Sequence, residues 1–359
     1  MAAVEFKKFD PKDNSWWAKR EMGSPDDPYN QIPKVDPSSD LYTEFTTLAS
    51  SMLADLEKDA HIEARDNWES LGESDGIIMH RRQNPDSPLL SFRGYGQIPA
   101  SPEIIRLWLV QIDQRVYWDP TFLRGSYKLE VTQDTRLVTN EYSAPWPVSN
   151  RDFVSLGSEA LRPDGTFVTG LHSVEREDLP EQSGFVRGVL HNSGFVLRPG
   201  IDENGNPLTD VYYIATVDPK GWIPTMVVNI FNQQQPLNII RLRDLVCNVQ
   251  TLIQAMFSYM FNLKEGDWNA ANIKKAMLDA LSNTGFSDKP SILFDAVRFY
   301  FMEKRVGPTD EELLKAMEDA GQVEAVKKLW QKFAEYLRGA GSSSEIGQQV
   351  QKFFKDRAL

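Results

Sequence analysis

Between about residue 124 and residue 217 the chain reads as strand-like segments joined by turns, with no helix-period stretch between them. The segments lie near 124–132, 135–145, 152–162, 166–175, 185–198 and 210–217. Their connections carry turn residues: Gln133 and Asp134; Pro163, Asp164 and Gly165; and a longer stretch from Pro199 to Pro207 that contains Asn204, Gly205 and Asn206. Parallel neighbours need a crossover of a dozen or more residues, usually a helix. Successive strands without one therefore specify an antiparallel sheet and exclude a βαβ fold.

Helical patterns flank this block. Leu41, Phe45, Leu48, Met52, Leu53 and Leu56 recur at helical spacing, and Ser38, Ser39 and Asp40 are cap candidates. Strand-like runs follow at Asn67–Leu71, Gly76–Arg82 and Leu89–Ile98. Pro102 then suits the first turn of a helix through Ile104, Leu107, Trp108, Val110 and Ile112. After Gly221 the helical pattern returns and runs to about Leu263. Pro236 lies inside it and lacks the N–H a continuous helix needs, so it marks either a kink or the start of a separate helix. Three regions result: an irregular arm over 1–39 rich in proline and charge, a folded body over 40–263, and a helical extension over 264–359 with apolar stripes such as Val326, Leu329, Trp330 and Phe333. In the arm, Trp16 and Trp17 are expected to dock on the body. Trp118 and Trp146 are expected in the core.

The charge balance narrows the partners. With 39 Lys and Arg against 51 Asp and Glu the net charge is −12, and no basic stripe is present to neutralise phosphates, so nucleic acid is not an expected partner. Stable electrostatic adhesion to anionic lipid is disfavoured for the same reason, although transient membrane contact is not. The single cysteine, Cys247, leaves no intramolecular disulfide and no multi-cysteine metal site. The start MAAVEFKKFD has no apolar core, and no stretch approaches the roughly 20 apolar residues of a membrane span. A cytoplasmic protein is expected.

Four motifs occur in order along the body. Arg115, Trp118 and Asp119 form an Arg-x-x-Trp-Asp stretch; Pro145 to Val154 contains the run Ser149, Asn150, Arg151, Asp152; Val186 to Pro199 carries His191 and Gly194; and Val217 to Asn229 carries Asp218, Gly221 and Pro224. In this order they resemble the START domain family of lipid carriers and sensors, and most closely its phosphatidylcholine-carrying members. The resemblance covers about residues 40–260. It implies an α+β helix-grip fold, a curved antiparallel sheet closed by a long C-terminal helix around a lipid tunnel. It implies too that the chain binds one lipid molecule, a phospholipid or sterol among the family's ligands, and transfers it between membranes. Burying an acyl chain supports such binding without a covalent bond, since each methylene contributes roughly 0.8 kcal/mol and about fifteen give on the order of 12 kcal/mol before ordering costs.

The resemblance also nominates residues. In the choline-lipid carriers the Arg and Asp matching Arg115 and Asp119 meet phosphate and choline. Four apart in a helical turn, the two share a face, and a structural ion pair is the competing reading. The choline cage of those carriers, one Trp and two Tyr, falls here on Asn140, Phe153 and His191, so the cation–π surface is mostly lost and choline selectivity with it. His191 is equally readable as a core histidine. On the gripping helix Met226, Asn229, Ile230 and Gln233 share a stripe expected to face the tunnel. Arg151 and Asp152 are expected to pin a loop to the sheet.

Enzyme motifs are missing. The four histidines, His61, His80, His172 and His191, have no His-Glu-x-x-His spacing, Gly94 and Gly96 lack the third glycine of a dinucleotide loop, and neither a P-loop nor Gly-x-Ser-x-Gly occurs. No cofactor is expected other than the lipid as ligand. Two alternatives remain: a lipid sensor or scaffold that engages a protein partner through 264–359, and a helix-grip enzyme such as a cyclase, for which only Arg115, Asp119 and His191 offer acid–base chemistry.

Overall fold

The computed structural model describes residues 32–61, 67–83, 89–146 and 148–262, together with Lys275, residues 279–284 and Ile292. Trp16 and Trp17, Pro147 and most of the extension expected after residue 264 lie outside the described residues. The backbone separates into two compact units, one of residues 10–22 and 26–244, the other of residues 1–9, 23–25 and 245–359. In the second unit residues 279–283 are helical, and Thr284 Oγ1 donates to Ala280 O at 2.8 Å.

The first unit begins with helix α1, Asp40–Asp59. Ser39 caps it by accepting from the Tyr42 N–H at 3.2 Å, which satisfies one of the free donors of the first turn. Strands β1 (Glu69–Ser74), β2 (Ile77–Gln83) and β3 (Leu90–Ile98) follow, then helix α2 (Pro102–Val110) and a 3₁₀ helix over Ile112–Tyr117. The central block is β4 (Phe122–Thr132), β5 (Thr135–Tyr142), β6 (Asn150–Leu161), β7 (Phe167–Ser173), β8 (Phe185–Arg187), β9 (Val189–Leu190), β10 (Ser193–Ile201), β11 (Pro207–Ala215) and β12 (Val217–Asp218). Helix α3 (Thr225–Asn232), a 3₁₀ turn (Gln235–Leu237) and helix α4 (Asn238–Asn262) complete the order.

The main sheet runs β1-β2-β3-β11-β10-β7-β6-β5-β4, with β8 added parallel to β6 and every other pair antiparallel; β9 and β12 form a separate ribbon. Register shifts recur three times where β4 pairs with β5, and each bulge bends and twists the sheet at that edge. The edge strand β4 is itself covered by the arm: Val35 N donates to Glu130 O and Glu130 N to Pro33 O, both at 2.9 Å.

The sheet has two working faces. On one, α1 buries Phe45, Ala49, Met52, Leu53 and Leu56 against Leu137, Val154, Leu156, Val168 and Val196. That stripe is the one its helical spacing predicts. On the other face the chain after β12 crosses the strands. Pro236 and Ile239 lie so close over β3 that a Cβ at Gly94 would stand 2.7 Å from Pro236 Cβ, so only glycine permits the approach. Ile239 and Leu242 are buried, and Arg243 ties α4 to the β1–β2 turn through Asp75 at 3.1 Å. This is the helix-grip arrangement, an α+β fold whose sheet stays open and is not closed as a barrel.

Two expectations are refined. The segment read as one strand over 185–198 is two short pieces and the start of the longer β10, because Gly188 and the residues His191 and Asn192 interrupt pairing with a single neighbour. The helical stretch after Gly221 is two helices separated at Pro236, which resolves the proline in favour of a break.

Candidate functional site

Between the second sheet face, the 3₁₀ helix after α2, and α3 lies a cavity of about 360 Å³. Its size is that of a small-molecule site. Side chains alternate along a strand, so β5 presents Arg136, Val138, Asn140 and Tyr142 to it while Leu137 faces α1. Beside them β6 contributes Phe153, β10 Phe195 and β11 Tyr213.

Arg115 and Asp119 meet at the cavity wall. Arg115 Nε donates to Asp119 Oδ2 at 3.1 Å, and Asp119 Oδ1 accepts from Thr121 N at 3.1 Å and Thr121 Oγ1 at 2.7 Å. Burial pushes the carboxyl up, yet Arg115 and Thr121 outweigh it and hold Asp119 below the usual carboxylate range. The guanidinium is pushed down by burial, but Tyr142, Asp119 and Tyr213 prevail and raise it further. Around it stand three rings, with centroids 4.8 Å (Trp118), 5.4 Å (Tyr142) and 6.0 Å (Phe122) from Arg115 Cζ. The aromatic surface thus already encloses a cation, the protein's own.

Asn140 and Phe153 are direct cross-strand partners on β5 and β6, and both line the cavity. Asn140 is only 3% exposed, and its Oδ1 has no hydrogen-bond partner. His191 is not among the lining residues. Its N–H donates to Thr216 O at 3.0 Å, and burial, reinforced by nearby His172, lowers the imidazole pKa.

Helix α3 turns a different face inward from the one expected. Val228, Phe231 and Asn232, with Gln235 from the 3₁₀ turn, line the cavity, whereas Met226, Asn229, Ile230 and Gln233 do not. Met226 is 72% and Ile230 56% exposed, and Asn229 Oδ1 instead accepts from Leu90 N at 3.1 Å. The inward stripe is displaced by two residues, or about 200° of helix, so it lies on the opposite side. Thr225, Asn229 and Asn232 share one side of the helix, and much of its apolar side, with Met226 and Ile230, is turned to solvent, the reverse of what an apolar stripe ordinarily does.

The rim corrects another expectation. Trp118 is buried, and its Nε1 donates to Trp108 O at 2.9 Å, but Trp146 is 93% exposed. Trp222 is also fully exposed. Both sit in loops whose neighbours reach the cavity, Pro145 and Val148 in one, Pro219 and Ile223 in the other. Arg151 and Asp152 do pin loops: Arg151 donates to Pro219 O at 2.9 Å and Lys220 O at 3.1 Å, and Asp152 accepts two bonds from Arg187 at 3.1 and 2.8 Å.

Sequence reasoning passed over Tyr142, Phe195 and Tyr213. The signal for Tyr142 was available in the period of two, because a cavity-facing Asn140 brings residue 142 to the same face. Among the described residues no group of three or more His, Cys, Asp or Glu is placed to hold a metal ion, and no helix is long and apolar enough to cross a membrane.

Comparison with known proteins places this architecture. The zebrafish (Danio rerio) steroidogenic acute regulatory protein, mitochondrial, is 32% identical over 137 residues, covering 37% of this chain and 47% of that protein. The Arabidopsis thaliana protein ENHANCED DISEASE RESISTANCE 2-like is 28% identical over 168 residues, 44% of this chain and 23% of its own length. The chain therefore spans at most about half the length of these relatives. Among solved structures, human StAR-related lipid transfer protein 5 has the same fold, with a TM-score of 0.53 at 21% identity over 58% of this chain and 99% of that one. The START domain family model matches residues 49–248. That is more than half of the 359 residues, and the chain belongs to the START domain family.

Proposed function

We propose that the protein binds one lipid molecule in the cavity and carries it between membranes, entering and leaving past α3. The observation that carries this reading is the mouth. The loops that contribute Pro145, Val148, Pro219 and Ile223 to the cavity hold Trp146 and Trp222 out in solvent, and α3, which also lines it, exposes Met226, Ile230 and half of Phe231. Clustered exposed apolar side chains mark interaction surfaces, and tryptophan suits the membrane–water boundary. Burying each such side chain contributes roughly 1.5–3 kcal/mol, enough for reversible docking without basic residues. A net charge of −12 accords with apolar and transient docking.

The family and the fold shared with a protein named for lipid transfer support the same reading. A wall that combines apolar side chains such as Val138, Phe153, Phe195 and Val228 with polar groups such as Arg115, Asp119 and Asn140 suits an amphiphile: hydrocarbon along the apolar part, polar group at the polar one. No step of this activity requires a chemical reaction.

Native mass spectrometry of the purified protein, followed by extraction, tests the binding. About one lipid per chain is expected. Transfer is tested by moving a fluorescent lipid between donor and acceptor vesicles at substoichiometric protein, where many lipids per chain are expected to move. An empty protein that takes up no phospholipid, sterol or fatty acid overturns the reading.

A further inference from the structure

We infer that Asn140 selects the bound lipid by its polar end, which is a neutral group that donates a hydrogen bond, a hydroxyl or secondary amide, and not a phosphodiester. The inference rests on the cavity being the lipid site. Asn140 is 97% removed from solvent, lines the cavity, and leaves Oδ1 unbonded. Its cross-strand neighbours offer no side-chain donor: on β6 it faces Phe153, and on β4 it faces Gly125. A Cβ at Gly125 would come within 2.6 Å of Asn140 Oδ1 and 2.4 Å of Ile112 Cδ1, so the amide is enclosed by an isoleucine and a bare backbone.

A buried side-chain oxygen without a partner is unfavourable in the empty protein, and a ligand that donates to it recovers that loss. An amide carries both an acceptor and a donor. A hydroxyl or secondary amide answers both, whichever way the Asn140 side chain is turned. A phosphodiester has acceptors alone, and a trimethylammonium has neither.

The test uses the full chain and phosphatidylcholine donor vesicles carrying one probe at a time. The probes are an intrinsically fluorescent sterol, a pyrene-labelled ceramide, the O-methylated form of each, and pyrene-labelled phosphatidylcholine. At least one free-hydroxyl probe is expected to load tenfold or more better than its O-methyl ether and better than phosphatidylcholine. In Asn140→Leu that preference is expected to fall below threefold with ether loading retained, and the unloaded variant to melt at a higher temperature than wild type. A wild type that loads alcohol and ether alike, or favours phosphatidylcholine, overturns the inference and leaves lipid binding standing. A variant that keeps the full preference also overturns it. Loading of no probe removes the lipid reading itself. The alcohol-to-ether comparison on the wild type needs no variant to fold.

Discussion

Arg115 and Asp119 are joined by a single 3.1 Å hydrogen bond, and each has further partners: three rings around the guanidinium, Thr121 on the carboxylate. Removing either member leaves the other buried. Arg115→Ala strands an anion and is expected to cost about 3–5 kcal/mol, the range for breaking a buried pair. Asp119→Asn keeps an acceptor for Thr121 and costs less. Lipid loading of folded Arg115→Ala should also fall, by roughly 1–3 kcal/mol for a lost charged hydrogen bond. Denaturant melts and vesicle loading measure the two effects separately. Full loading in a folded Arg115→Ala protein would leave the pair a purely structural role.

The same pair sets a pH dependence. Because the folded protein holds Asp119 below its ordinary range, the unfolded chain binds more protons there as the solution is acidified. The stabilisation is complete above the unfolded value of about 3.9 and is lost as the pH falls through the lower, folded one. Wild-type stability should therefore decline more steeply below about pH 4 than that of Asp119→Asn. Urea midpoints of both proteins from pH 2.5 to 6 check it; parallel curves would refute the assignment.

Choline is not expected to be favoured. Arg115 fills the ring box formed by Trp118, Phe122 and Tyr142, and Asn140 stands where a cage tryptophan would be. Rebuilding the cage through Asn140→Trp, Phe153→Tyr and His191→Tyr is expected to fail, because residue 191 does not line the cavity. Competitive loading from mixed vesicles should show no gain in phosphatidylcholine preference in the triple variant.

Trp146→Ala with Trp222→Ala should slow lipid transfer at least tenfold while leaving stability within about 0.5 kcal/mol, since both rings are solvent-exposed. Co-sedimentation with vesicles should weaken in parallel and depend little on salt, as expected of apolar docking by an acidic protein. Unchanged transfer with weakened binding would separate docking from exchange.

The two faces of α3 give a sharper comparison. Val228→Asp places a charge against the cavity and is expected to abolish loading, whereas Met226→Asp, two residues earlier and exposed, should leave loading intact. Uptake assays on the pair decide it; equal losses would mean that both faces meet the ligand.

Much of this molecule was legible in its sequence, and each failure has its own physical reason. The α1 stripe from Phe45 to Leu56 and the antiparallel order of the strands follow from local periodicity, which the finished fold preserves. Arg115 and Asp119 were nominated by the Arg-x-x-Trp-Asp motif, Asn140 and Phe153 by alignment with the family's cage positions, and all four line the cavity. Met226 and Ile230 were expected inside because an apolar helix side is ordinarily buried, whereas α3 turns much of that side to solvent. Trp146 looked like core because a ring's hydrophobicity does not reveal whether it is held inward or kept outside for a purpose. His191 was located by aligned position, and it stands in the break after β9, where aligned position does not fix which way the side chain points.

The break at Gln235–Leu237 has a thermodynamic meaning of its own. A continuous helix would couple α3 to α4, so that lifting one strained the ladder of the other. With a 3₁₀ turn between them, α4 keeps Ile239 and Leu242 in the core while α3 is held mainly by named single ties, Asn232 Nδ2 to Val217 O at 2.7 Å and Asn229 to Leu90. Opening the mouth is then a sub-global event whose free energy is independent of that of the whole fold. Amide exchange over 225–232 should be fast and insensitive to core substitutions, while exchange in β10 and β11 follows global stability. Under selection, the lifetime of the cargo and the lifetime of the protein are free to evolve separately.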